Sequence, residues 1–240
     1  MPASEAKRKL DFSSMVKDVL RQHVRSNQIV GLGSGTTMAY LVRELGKSSY
    51  KKSLKFVVTS LQIKIEAEKA GLIVMDAPQM EQIDIVFDGA DQIDSNFFMI
   101  KGGGGALLRE KIVMYSARTV VILADSSKFV DKFNRSIPIE VHPFARTSVF
   151  RTLVEYGAQL KLRQSGTGYP YITENGNIIF DTYFPSVYNP GDLENELTCI
   201  PGIIEVGIFT RRADRYYEAL SNGSFRVRTF YLSEQQPTSR

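Results

Sequence analysis

Residues 28–45 read QIVGLGSGTTMAYLVREL. The first five are apolar and β-branched enough for a buried strand, residues 31–35 form a glycine-rich turn, and residues 36–45 carry helical spacing. A strand, a glycine turn and a helix in that order is the opening unit of a parallel α/β sheet. The flanking chain repeats the alternation. Residues 13–26 read as a helix with apolar positions at Met15, Val16, Val19, Leu20 and Val24. A strand over 55–59 precedes a helix over 61–70, and strands follow over 73–75, 83–88 and 119–124. The runs FVV, IDIVF and TVVIL suit strands buried on both faces. The expectation is a Rossmann-like parallel sheet with helices on both sides.

The second half changes style. Strands are expected over 137–141, 158–162, 178–182 (after the Asn175–Gly176 turn) and 203–209, with helices over 145–156 and 192–198. That order, βαββαβ, is the ferredoxin-like pattern. A smaller α+β domain is therefore expected over 135–208. Residues 1–134 and 209–240 would form the α/β domain, with the tail returning through 225–230 and fraying over 233–240.

The 240 residues are 43% hydrophobic and 23% charged, ordinary for a globular protein. No apolar run has membrane-span length, and the start lacks the apolar core of a signal peptide. Cys199 is the single cysteine, so no internal disulfide can form. A cytoplasmic protein is expected. The net charge of +4 suits an anionic partner. Its basic residues are scattered rather than clustered, so a small anion is favoured over nucleic acid.

Four segments carry candidate chemistry, each expected at the carboxyl end of a strand or in the loop after it, where open parallel sheets bind ligands. Residues 31–37 (GLGSGTT) offer helix-start amides with the hydroxyls of Ser34, Thr36 and Thr37, an anion cradle. They are not a dinucleotide fingerprint, because the third glycine of GxGxxG falls at Thr36 and no acidic residue ends the next strand. Residues 87–94 (FDGADQID) place Asp88, Asp91 and Asp94 around a turn, for acid–base work, metal binding or capping. With only His23 and His142 as histidines, no transition-metal site is expected.

Residues 101–111 (KGGGGALLREK) are the most informative. Four consecutive glycines suggest backbone lying against a ligand, and Lys101 brings a positive charge. On the helix that follows, Glu110 falls beside Ala106, Leu107, Val113 and Met114. A glutamate on an apolar face should be partly buried, which raises its pKa toward a useful base. Residues 124–128 (ADSSK) add Asp125 and Lys128. Carboxylates and lysines around a small phosphorylated polyol suggest proton transfer next to a carbonyl, with a lysine stabilising the enediolate oxygen.

The segments GLGSGTT, VTSLQ, FDGADQID, IKGGGGALLREKIV and ADSSK resemble those of type A ribose-5-phosphate isomerases, in order and spacing. The resemblance implies interconversion of ribose 5-phosphate and ribulose 5-phosphate without metal or organic cofactor, by a homodimer or homotetramer. It implies Glu110 as the base between C1 and C2, with Asp88 and Asp91 assisting ring opening and proton traffic. Lys101 and the amides of Gly102, Gly103 and Gly104 would stabilise the enediolate. Ser34, Gly35, Thr36, Thr37, Gly89, Ala90 and Lys128 would complete the substrate pocket. Two departures stand out: Gln92 replaces the family's usual Glu, and Phe12 and Ser13 replace its early lysine pair, with Lys7, Lys9 and Lys17 nearby. A sugar-phosphate-sensing domain would need a DNA-binding head and has no use for Glu110. A related acyl-CoA transferase fold is disfavoured by the isomerase-like segments.

Overall fold

The computed structural model describes residues 12–75, 82–185 and 189–230. The end at 233–240 and the lysines Lys7 and Lys9 lie outside them. The main sheet has six strands in the order β13-β12-β6-β3-β1-β2. These are β1 (Ile29–Leu32), β2 (Lys55–Val58), β3 (Ile83–Asp88), β6 (Ala117–Asp125), β12 (Arg215–Ala219) and β13 (Phe225–Arg228). All neighbours are parallel except β13, which runs antiparallel to β12.

Period-two alternation sorts this sheet's side chains. Val30, Leu32, Ile85, Phe87, Val121 and Leu123 join the core under α1 (Ser13–His23), α2 (Thr36–Leu45) and α3 (Leu61–Lys69). Val86, Val120, Ile122 and Tyr216 join the core under α4 (Leu107–Ser116) on the other face. Asp88, two residues beyond Val86, shares the α4 face.

The second sheet has four antiparallel strands in the order β10-β7-β9-β8. They are β7 (Ile137–Val141), β8 (Gln159–Leu162), β9 (Ile178–Tyr183) and β10 (Ile203–Val206), joined through α5 (Arg146–Glu155) and α6 (Pro190–Thr198). This is the ferredoxin-like arrangement. A third sheet, β11-β5-β4, links the two from β4 (Gln92–Ile93), β5 (Met99–Ile100) and β11 (Ile208–Phe209).

Several expectations need correction. The first helix ends at His23, not 26, because Arg25 donates to the carbonyls of Arg21, Gln22 and Val24 and closes the helix end. Residues 73–75 make only one bridge, Val74 to Phe56, at the edge of β2. Residues 101–111 follow β5 of the linking sheet rather than a strand of the parallel sheet. The single strand expected over 203–209 is two strands in two sheets, divided at Gly207. There the Gly207 N–H donates to Pro138 O at 2.7 Å, and its carbonyl accepts from Lys101 N at 2.9 Å.

Gly207 must be glycine on steric grounds alone. A Cβ there would stand 2.5 Å from Lys101 O and 2.8 Å from Pro138 O, both backbone atoms that cannot swing away. Gly207→Ala is expected to lose about 2 kcal/mol or more of stability by overpacking. Urea unfolding measures this, and an unchanged midpoint would show that the crossing has slack.

Candidate active site

The strand order places the crevice. The chain passes from β1 to β2 on one side and then returns to place β3 on the other, so the switch point lies between the carboxyl ends of β1 and β3. A cavity of about 180 Å³ opens there. Ser34, Gly35, Thr36 and Thr37 line it from the start of α2. Asp88, Gly89, Ala90 and Asp91 line it from the end of β3. Lys101, Gly102, Gly103, Gly104 and Glu110 line it from the segment leading into α4, and Lys128 from the turn after β6. Every site residue implied by the family resemblance therefore borders one pocket.

Its floor is a buried ion cluster. Asp88 is 1% exposed, and Lys101 and Glu110 are 3% exposed each. Lys101 Nζ lies 2.8 Å from Asp88 Oδ2 and 3.2 Å from Glu110 Oε2. It donates a hydrogen bond to Gly89 O at 2.6 Å. Among the described residues, Asp88 Oδ2 and Glu110 Oε2 have no well-aimed hydrogen-bond donor beyond these ion-pair contacts. Glu110 Oε1 accepts from the Ser34 hydroxyl, and Asp88 Oδ1 accepts from Gly89 N at 2.7 Å. Gly33 lets β1 come this close: a Cβ would stand 1.7 Å from Asp88 Oδ1.

Burial pushes the Asp88 carboxyl up to about 7, with Lys101 opposing and Glu110 adding to the rise. Burial alone lowers the Lys101 ammonium, but Asp88 and Glu110 more than offset it and hold it above its ordinary value. The cation is therefore fixed, while Asp88 can exchange a proton near neutrality.

The pocket's other wall suits an anion. Gly35 caps α2 without any side-chain hydrogen bond, so first-turn amides remain available beside the hydroxyls of Thr36 and Thr37. Lys128 borders the same pocket from a short turn capped by Asp125, whose carboxylate accepts from Ser127 N at 2.9 Å.

The three aspartates of residues 88–94 divide. Asp91 borders the pocket and accepts from Gly103 N at 2.7 Å. Asp94 instead holds a turn, accepting from Asn96 N and Phe98 N. Gln92 faces away and pairs with both the backbone and the side chain of Asn134. Lys17 is exposed and does not border the pocket. Among the described residues, no group of three His, Cys, Asp or Glu side chains is arranged to hold a metal ion.

Sequence reasoning missed the residues that grip the segment from the second sheet. Arg163 and Tyr171 hold the glycine carbonyls. Arg109 binds Glu174 and Asn175, and Lys111 binds Glu194 and Glu205. Nothing local marks Arg163 or Tyr171, because their partners are backbone oxygens some 60 residues away in the chain.

The family model for ribose 5-phosphate isomerase A (phosphoriboisomerase A) matches residues 55–223. A ribose-5-phosphate isomerase A of Korarchaeum cryptofilum is 42% identical over 190 residues, 78% of this chain and 84% of that protein. The structure of ribose 5-phosphate isomerase A from Methanocaldococcus jannaschii aligns with a TM-score of 0.83 at 34% identity, over 90% of this chain and 96% of that one. A D-ribose-5-phosphate isomerase in complex with phospho-erythronic acid aligns with a TM-score of 0.85 at 36% identity, over the same shares. This chain belongs to the ribose 5-phosphate isomerase A family.

Proposed function

We propose that the protein interconverts D-ribose 5-phosphate and D-ribulose 5-phosphate by proton transfer through an enediolate. The observation that carries this reading is the buried Asp88–Lys101–Glu110 cluster at the floor of a pocket whose opposite wall is an anion cradle. The phosphate sits at the start of α2, against Thr36 and Thr37, with Lys128 bordering the same pocket. This directs the carbonyl end toward Lys101 and the glycine amides.

Glu110, oriented by the Ser34 hydroxyl, removes the proton from C2 of the open-chain aldose and returns it to C1. The electron pair left at C2 forms the C1–C2 double bond and displaces the carbonyl π pair onto O1, where Lys101 and the free amides of the glycine run stabilise the negative charge. Asp88, raised to about 7, gives and takes protons on the sugar oxygens during ring opening and enediolate formation. Asp91 assists it. Phospho-erythronic acid, bound by a relative, fits this reading chemically. Its carboxylate on a phosphorylated four-carbon chain has the planar, anionic character of the enediolate end. No residue here is assigned to a metal or an organic cofactor.

The domain division follows from the same reading: residues 1–134 with 209–240 as the catalytic α/β unit, and 135–208 as the small α+β unit. A homodimer or homotetramer in the cytoplasm completes it. Among the described residues, no helix is long and apolar enough to cross a membrane.

Purified protein is expected to convert ribose 5-phosphate to ribulose 5-phosphate in the presence of a chelator. Glu110→Gln should keep the fold and lose roughly 10²-fold or more in kcat. Turnover at the parent's rate in that variant would remove Glu110 as the base, and a full chelator block would remove the metal-free reading.

The ion cluster also sets stability. Lys101→Met leaves two buried carboxylates without their cation and is expected to cost about 3–5 kcal/mol at neutral pH. The folded Asp88 carboxyl titrates near 7, above its ordinary 3.8. The folded state therefore holds a proton that the unfolded chain has released. Its stabilising share is complete below about pH 4 and is lost as pH rises through 7. Asp88→Asn lacks this dependence. The difference in unfolding free energy between variant and parent should move in the variant's favour from pH 4 to pH 7. A constant difference would show that burial does not raise this carboxyl.

A further inference from the structure

The glycine run that forms one wall of the pocket has no side chains with which to hold its own shape. Gly102 and Gly105 adopt φ values of +98° and +83°, and the whole run is conformationally permissive. A turn closed by the Gly105 N–H on Gly102 O at 2.9 Å gives it part of its order, and the second sheet holds its carbonyls. Arg163, directly after β8, forks onto Asp181 of β9: Nε donates to Oδ2 at 3.0 Å, and Nη2 donates to Oδ1. That pairing leaves Nη1, which donates to Gly102 O at 2.8 Å and to Gly103 O at 3.3 Å. The Tyr171 hydroxyl donates to Gly104 O at 3.1 Å. Three successive glycine carbonyls are thus held from outside the pocket.

In a trans peptide the C=O of one residue and the N–H of the next point in opposite directions. Holding the carbonyls of Gly102 and Gly103 therefore sets the N–H groups of Gly103 and Gly104. The Gly103 N–H is aimed at Asp91 Oδ2, 2.7 Å away. Gly104 borders the pocket, and its N–H has no acceptor among the described residues. We propose that Arg163, anchored by Asp181 and aided by Tyr171, is a positioning residue that pre-aims the Gly104 amide at the enediolate oxygen and the Gly103 amide at Asp91. It does not border the pocket itself. Only a guanidinium can fork onto a carboxylate and still span two carbonyls, so lysine is a poor substitute. This inference rests on the isomerase reading above.

The test is steady-state kinetics on ribose 5-phosphate, inhibition by phospho-erythronic acid and thermal unfolding for Arg163→Met, Arg163→Lys, Asp181→Asn and Tyr171→Phe. Arg163→Met should lower kcat roughly 10–100-fold while KM moves less than about threefold, because pre-aimed donors act mainly on the transition state. Inhibitor affinity should fall in parallel with kcat rather than with KM. Arg163→Lys should recover part of the loss, with the unfolding midpoint close to the parent's. A rise in KM alone, or a loss of activity that only follows the loss of folded protein, would overturn the proposal. If Arg163→Met fails to fold, Asp181→Asn and Tyr171→Phe decide: a severalfold lower kcat in the folded variants supports it, and parental kcat in both overturns it. A parent inactive on ribose 5-phosphate would instead sink the isomerase reading, whereas an active parent with parental kcat in Arg163→Met sinks only this one.

Discussion

A buried ammonium held between two buried carboxylates is the constraint on which the rest of this structure depends. Lys101, Asp88 and Glu110 are each at least 97% removed from solvent. Such a cluster is costly to desolvate and tolerable only when its geometry is fixed. The fold fixes it from three directions. Asp88 arrives at the end of a central strand, Lys101 leaves a short linking strand, and Glu110 sits in the first turn of α4. Ser34 adds a hydroxyl from the turn after β1. Cluster and pocket floor are the same atoms, so stability and chemistry are coupled here.

The segment 101–111 explains why a second, smaller sheet is present. Its residues divide between two jobs. Lys101 and Glu110 turn into the pocket, while Arg109 and Lys111 turn outward to the other sheet's side chains. Lys111 Nζ binds Glu194, Glu205 and Val206 O, and the Phe209 ring lies beside both Lys101 and Lys111. α4 lies against β3 and β6 on one side and β7 and β10 on the other. Both sheets therefore hold the helix that carries Glu110, which limits the freedom of its side chain.

Much of this was legible in the sequence because it is local. The glycine turn after β1 and the apolar helix face around Glu110 follow from spacing alone. So do the strand ending at Asp88 and the βαββαβ order. What was not legible depends on long-range pairing. β4, β5 and β11 are two residues each and exist only through one another. β12 hides a buried Glu218 that reads as polar until Arg228 on β13 neutralises it. The break at Gly207 is set by backbone atoms of Lys101 and Pro138, not by any turn signal. Asp94 and Asp91 look alike in sequence, and only the turn closed by Asn96 and Phe98 separates the structural one from the one at the pocket.

Glu110 as the carrier of the carbon-bound proton is the centre of this account, and deuterium wash-in tests it most directly. Ribose 5-phosphate equilibrated with the enzyme in D2O can be followed by NMR at C2 of the aldose and C1 of the ketose. The parent should introduce deuterium at these carbons, and Glu110→Gln should do so at least about a hundredfold more slowly. Wash-in at the parent's rate by the glutamine variant would contradict the account, because the proton would then be moving through another group.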